Sequence, residues 1–254
     1  MVERARRIEH TYRVRFDEAD GDGWLRPSGL LRYAQDMAWR HSEEAGFERD
    51  WYDERAMSWL VRNVRVLVDG RITYGDVLSI STQVIGWRHV WARRRTEVRR
   101  VGSSAGLAAG DVAATVDTDW VLLTTAGKPA RVPDDIAQCF STDQPFIRDR
   151  IVLPEPASEV TRLTTRVRPL DVDPMRHMNN AAYLDMVTDA LARMPAAQRP
   201  KALDCYRIGY VQPALPGTPI EVSCWPVGDD QVACRISDGD GAELTKALAS
   251  RTSE

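Results

Sequence analysis

Leu163-Thr-Thr-Arg-Val-Arg-Pro-Leu-Asp-Val-Asp-Pro-Met-Arg-His-Met-Asn-Asn-Ala-Ala-Tyr183 is the stretch on which the reading of the fold turns. Leu163, Thr165 and Val167 alternate with Thr164, Arg166 and Arg168, which is the period of a half-buried strand. The acidic turn Asp171-Val-Asp-Pro-Met-Arg-His177 follows. A helix is then expected over roughly Ala181 to Ala192, with Ala181, Leu184, Val187, Thr188 and Leu191 on one side and Pro195 as its stop.

The same order occurs earlier in the chain. His10, Tyr12, Val14 and Phe16 alternate with Thr11, Arg13, Arg15 and Asp17. The turn Asp17-Glu-Ala-Asp-Gly-Asp-Gly23 comes next, and a helix is predicted from about Ser28 to Ala45, ended by Gly46. A shift that lays Val14 on Val167 also lays Asp20 on Asp173, Trp24 on His177 and Leu30 on Tyr183. Strand, acidic turn and helix are therefore written twice.

Each helix is followed by segments with strand patterning. In the first half they are Ser58 to Val68, Val77 to Ile85, Val90 to Arg100 and Val112 to Leu123. In the second half they are Tyr206 to Gln212, Ile220 to Pro226, Gln231 to Ser237 and Leu244 to Ser250. Gly and Asp mark the turns between them. Each half thus reads as one strand, one long helix and an antiparallel meander. This is an α+β organisation in which a curved sheet wraps a central helix. Leu30, Leu31, Met37 and Trp39 make the first helix apolar enough to lie inside such a sheet. The expected boundaries are an N-terminal domain over 1–142, a linker over 143–158 containing Pro145, Pro154 and Pro156, and a C-terminal domain over 159–254.

Bulk composition narrows the function classes. The 254 residues are 43% hydrophobic and 28% charged, with a net charge of -3, an ordinary balance that gives no sign of a nucleic-acid partner. A run of about eighteen apolar residues, the length of a membrane span, occurs nowhere. The opening Met-Val-Glu-Arg-Ala-Arg-Arg has no apolar leader core. Cys139, Cys205, Cys224 and Cys234 form no CxxC pair, so buried free thiols in a reducing compartment are expected rather than disulfides or zinc. A cytoplasmic protein is the expectation.

Several stretches carry a family resemblance. Val14-Arg-Phe-Asp-Glu-Ala-Asp-Gly-Asp-Gly-Trp24 and the residues on to Asp36 resemble the opening of acyl-ACP thioesterases. So do Ser58-Trp-Leu-Val-Arg-Asn-Val-Arg-Val66, Ile72-Thr-Tyr-Gly-Asp-Val-Leu-Ser-Ile-Ser-Thr82 and Asp119-Trp-Val-Leu-Leu123 with Lys128-Pro-Ala-Arg-Val-Pro133. Asp171 to Asn180 with Tyr183 looks like the DxDxxxHxNNxxY pattern common among hot-dog thioesterases. The resemblance runs from about residue 8 to 250. It implies two tandem hot-dog domains, hydrolysis of long or medium acyl thioesters, and no metal or organic cofactor; the expected substrate is a fatty or polyketide-type acyl group of lipid metabolism, brought by acyl carrier protein or acyl-CoA. The plant members place an Asn in the motif and a Glu, sometimes with a Cys, on a following strand. Here those positions fall on Met175, Pro213 and Ala214. The remaining set is similar to simpler acyl-CoA thioesterases that manage with one carboxylate and a helix N-terminus.

Thioester hydrolysis needs a nucleophile and stabilisation of the oxyanion. Asp173 is the expected carboxylate, acting on water or on the carbonyl itself, although an Asp at a strand-to-helix turn also caps backbone. His177 orients water or shares a proton, or is a hydrogen-bonded structural histidine. Asn179 and Asn180 cap the helix, whose N-terminus favours the oxyanion. Asp20, with Trp24, Arg26 and Pro27 around it, reads as structural, so the second domain is expected to hold the chemistry. Seven of the eight tryptophans lie in the first half and read as core or as acyl contacts. Arg88, Arg93, Arg94, Arg95, Arg99 and Arg100 read as a solvated strand surface or as a field that steers an acidic carrier. An acyl-binding or ring-closing protein with little hydrolysis is the competing class. The oligomeric state is open between monomer and homodimer.

Overall fold

The computed structural model describes residues 7–102, 110–140, 142, 146–147, 149–157, 159–200 and 202–252. The basic opening segment (residues 1–6) and positions 143–145, 148 and 158 of the expected linker lie outside the described residues. The chain divides into two compact units: unit 1 is Met1–Arg62 with Val68–Arg148, and unit 2 is Asn63–Leu67 with Asp149–Glu254.

Unit 1 begins with strand β1 (Ile8–Arg13) and the long helix α1 (Pro27–Glu44). The short helix α2 (Arg49–Glu54) leads into β2 (Met57–Val68), β3 (Val77–Arg88), β4 (Trp91–Gly102) and β5 (Val112–Thr124), and α3 (Asp134–Cys139) closes the unit. The strands are antiparallel, in the order β1-β3-β4-β5-β2. α1 packs on β3, β4 and β5 through Leu30, Leu31 and Met37, which are fully buried. Pro27 at its first turn presets the helical φ and removes an N–H that no carbonyl would have met. Trp39 was expected among the buried residues, yet it is exposed. At 3.6 residues per turn it falls on the side of the cylinder opposite Leu30. Phe16 is also exposed, because the chain leaves the strand after Arg13 and Phe16–Glu18 wind into a 3-10 turn, which ends the alternation. α2 and α3 have no long periodic pattern to announce them. They pack Tyr52, Ile136 and Cys139 around Phe47 and Phe140.

Unit 2 repeats the plan. β6 (Thr161–Arg166) leads to α4 (Asn180–Arg193), then β7 (Cys205–Tyr210), β8 (Pro219–Val227), β9 (Gln231–Asp238) and β10 (Glu243–Ser250). Their antiparallel order is β7-β10-β9-β8-β6, and residues 63–67 of β2, which cluster with this unit, pair with β7. α4 packs on β6 and β8. The other side of this sheet is covered too: Trp225, Ala233 and Leu248 pack with Ile151, and the Trp225 indole N–H donates to the Pro154 carbonyl at 3.2 Å. Part of the stretch expected as a linker is therefore core. The four cysteines are buried and form no disulfide. No helix among the described residues is long and apolar enough to cross a membrane.

Candidate active site

The two acidic turns share the same backbone hydrogen bonds. In the first, Asp20 N–H donates to the Trp24 carbonyl at 2.8 Å and Gly23 N–H to the Asp20 carbonyl at 3.0 Å. In the second, Asp173 N–H donates to the His177 carbonyl at 3.0 Å and Arg176 N–H to the Asp173 carbonyl at 2.9 Å. Bridges Ala19–Leu25 and Val172–Met178 close the two turns alike. Arg26 N–H on the Glu18 carbonyl matches Asn179 N–H on the Asp171 carbonyl. The loop needs a left-handed residue at one position. Gly23 supplies it at φ +82°, whereas Arg176 holds φ +64° with a full side chain, a conformation that costs about 1–2 kcal/mol for an L-residue. Strain of this kind survives where the surroundings over-determine it.

Within the second turn, Asp173 has two engagements. Its Oδ1 accepts from Met175 N–H at 2.9 Å, and the same oxygen lies 3.8 Å from His177 Nδ1. The latter is longer than a hydrogen bond and within ion-pair range. The Asp173 and His177 side chains retain 16% and 21% of their exposure, so both are sheltered but reachable. The capping role of Asp173 is thus real and leaves the second carboxylate oxygen available. Asp20 is committed further: its Oδ1 accepts from both Asp22 and Trp24 N–H groups, each at 2.9 Å. No histidine faces it, since Trp24 occupies that position.

Asn179 is the N-cap of α4, and its carboxamide oxygen accepts from Ala181 N–H at 2.9 Å, a bond typically worth about 1 kcal/mol to a helix. Asn180 opens the helix, one residue earlier than expected, and its carbonyl accepts from the Tyr210 hydroxyl at 2.9 Å. Four expected residues therefore converge on one strand-to-helix turn, with the positive end of the α4 dipole among them.

Two further groups belong here. The Tyr183 hydroxyl accepts from Ala214 N–H at 2.9 Å, and the Ala214 carbonyl accepts from Met178 N–H at 2.9 Å. The 211–217 segment is thereby laced to the turn by main chain, so Ala214 matters through its backbone. Met175 is 54% exposed and Pro213 is exposed, so neither offers a polar group to the site. Tyr183 was legible as the last residue of the motif; nothing in the sequence pointed to Tyr210, whose ring meets that of Tyr183 edge-on at 5.5 Å.

Burial pushes the Tyr183 phenol up to about 12; the Ala214 N–H opposes the rise and the nearby Asp173 carboxylate adds to it. A raised folded-state value means that the protonated phenol stabilises the fold below its ordinary value of 10, and that this contribution is lost as pH climbs toward 12. The unfolding free energy of the wild type is expected to fall more between pH 10 and 12 than that of Tyr183→Phe, by on the order of 2 kcal/mol. Tyr206 is also pushed by burial to about 12 and titrates in the same window, so the difference between the two denaturation profiles isolates Tyr183. Parallel profiles would contradict a buried phenol at this turn.

The arginine run of β4 separates by face. Arg93 and Arg95 make paired bonds to Asp119 and Asp117 at 2.6–2.9 Å. Neither presents an open field to a carrier. Arg94 and Arg100 point inward and are buried. Of the tryptophans, Trp225 is fully buried, Trp51, Trp59 and Trp87 pack half-buried against the core cluster of unit 1, and Trp39 is exposed. Among the described residues there is no group of three or more side chains placed to hold a metal ion.

The chain matches the family model for the acyl-ACP thioesterase N-terminal domain over residues 6–140 and that for the C-terminal domain over residues 154–249. It is 22% identical over 202 residues to the chloroplastic acyl-[acyl-carrier-protein] hydrolase FATB2 of Cuphea viscosissima, a match covering 72% of this chain and 47% of that one. The chain thus spans about half the length of that curated relative. The 12:0-ACP thioesterase from Umbellularia californica superposes with a TM-score of 0.79 at 18% identity, over 96% of each chain. An acyl-ACP thioesterase from Bacteroides thetaiotaomicron superposes with a TM-score of 0.78 at 15% identity, over 96% of this chain and 97% of that one. Each unit has the hot-dog fold of these structures.

Proposed function

The chain belongs to the acyl-ACP thioesterase family, and from that premise we propose that it hydrolyses a fatty or polyketide-type acyl thioester carried by acyl carrier protein, releasing the free acid and the carrier thiol. Asp173, His177 and the N-terminus of α4 are the proposed apparatus. The observation that carries this reading is the sheltered, reachable pair of Asp173 and His177, 3.8 Å apart at the mouth of a capped helix.

In the proposed step Asp173 accepts a proton from water as the water oxygen attacks the thioester carbonyl. His177 holds the water and relays the proton taken up by Asp173 to the departing sulfur as the carbon–sulfur bond breaks. The negative charge that collects on the carbonyl oxygen faces the positive end of α4, whose first N–H groups lack helical partners. The Asn179 cap fixes that end in place. No cofactor enters the step.

The departures at Met175 and Pro213 favour a second reading, an acyl-binding protein with little turnover, because both positions are turned to solvent. Purified protein offered matched acyl-ACP and acyl-CoA series separates the readings by thiol release. Faster release from acyl-ACP is the expected result. Preference for acyl-CoA would reassign the carrier, and failure on every thioester would leave the binding reading.

A further inference from the structure

Arg94 lies mid-strand on the inward face of β4, between its cross-strand neighbours Val84 on β3 and Thr118 on β5. The residue is 8% exposed. Its Nη1 donates to His41 Nδ1 at 2.6 Å and lies 3.5 Å from Thr82 Oγ1. Arg94 makes no carboxylate ion pair among the described residues. The other cations of this strand are answered: Arg93 by Asp119, Arg95 by Asp117, Arg99 by Glu97, and buried Arg100 by Asp76 at 4.0 Å.

The described groups that contact it are neutral. A guanidinium only donates, so His41 must accept at Nδ1, carry its proton on Nε2 and remain uncharged. The Tyr52 hydroxyl, near enough to feel the cation, bonds to Ser42 Oγ at 3.0 Å and accepts from the Trp59 indole at 3.2 Å. Thr82 and Thr96 bond to each other at 3.0 Å. Burial draws the Arg94 guanidinium down to about 10, the signature of a charge that its surroundings do not repay.

A desolvated cation without a counter-charge is costly, and an apolar residue of similar size would be tolerated at least as well. Such a group is a candidate for one whose partner arrives from outside. The apolar cluster beside it matches an aliphatic chain in chemistry: Phe47, Tyr52 and Phe140 are buried in it, and half-buried Trp59 and Trp87 pack against it. The Phe140 ring stands edge-on to His41 at 4.8 Å.

We propose that Arg94, with His41 and Thr82, is a carboxylate subsite inside unit 1 that takes the anionic end of an aliphatic acid. Two sources present that chemistry: a free monocarboxylate, or the far carboxylate of a dicarboxylic acyl group. The second source rests on the thioesterase reading and the first does not.

Two measurements on the full chain test it. Decanoate and decanol are titrated into the wild type, Arg94→Met and Arg94→Lys, following calorimetry and the fluorescence of Trp59 and Trp87. Decanoyl and decanedioyl thioesters are compared for turnover in the same proteins. The expected result is a preference for the carboxylate form of about tenfold or more in one of the two arms. It is lost in Arg94→Met and kept in part by Arg94→Lys. Binding of decanoate identifies a free acid as the ligand, and preference for decanedioyl thioester identifies the acyl tail. Equal treatment of charged and neutral forms by the wild type in both arms would overturn the proposal, as would a preference that survives in folded Arg94→Met. Absence of turnover on every thioester would sink the thioesterase reading and leave the decanoate arm intact. A thermal midpoint of Arg94→Met at or above that of the wild type is also expected, whereas a merely structural arginine would lower it.

Discussion

Asp173→Asn is expected to reduce thioester turnover by about 10²- to 10⁴-fold, the range for loss of a general base, while the fold survives. The substitution separates the two engagements of this side chain. An asparagine oxygen still accepts the Met175 N–H that Asp173 Oδ1 accepts at 2.9 Å, so the turn keeps its local bond. What is lost is the negative charge and the proton acceptor. A second variant acts on the other member of the Asp173–His177 pair. His177→Ala leaves the carboxylate but removes the group 3.8 Å from it. Stopped-time thiol release gives the rates, and circular dichroism with thermal melting reports the fold. Undiminished turnover in a folded Asp173→Asn would end the assignment of this carboxylate.

Leu184→Ala is expected to lower the unfolding free energy by about 2–5 kcal/mol, the range for truncating a fully buried leucine. Leu184 has 0% exposure and sits one turn into α4, on the stripe with Ala181, Val187 and Leu191. The loss comprises the transfer free energy of the deleted carbons and the cavity that the closely packed sheet cannot collapse to fill. The proposed site lies at the entrance of this helix, so its placement depends on the same packing. Asp189→Ala is the matched surface control. Its exposed pair with Arg193 at 3.2 Å should contribute less than about 1 kcal/mol. Urea denaturation of both variants checks the contrast, and a Leu184→Ala loss no larger than that of Asp189→Ala would refute a core position for this residue.

The elements of both units were legible because their signals are local. Alternation marked β6 and the meanders, and helical spacing with a stop marked α1 and α4 to within a residue or two. The misplacements have local causes as well. Phe16 continued an alternation that the backbone had already abandoned for a 3-10 turn. Trp39 was counted for its hydrophobicity although its angular position on α1 faces away from the sheet. α2 and α3, six residues each, are too short for a periodic signal to stand out.

The candidate site was legible in a different way. Asp173, His177, Asn179 and Asn180 are near neighbours in sequence, so a single turn was bound to bring them together. Tyr210 and the Ala214 main chain reach the same place across thirty residues or more only because β7 and the segment after it return to α4.

The sequence by itself determined the double strand–turn–helix plan, its two meanders and the asymmetry that puts a histidine in one turn and a tryptophan in the other. These follow from hydrogen bonding and side-chain alternation within short windows. Only the tertiary structure decided which arginines of β4 meet Asp117 and Asp119, and that Arg94 is buried beside a neutral histidine. Charge compensation depends on cross-strand register and on the helix that packs above, and neither is encoded within the run of arginines itself.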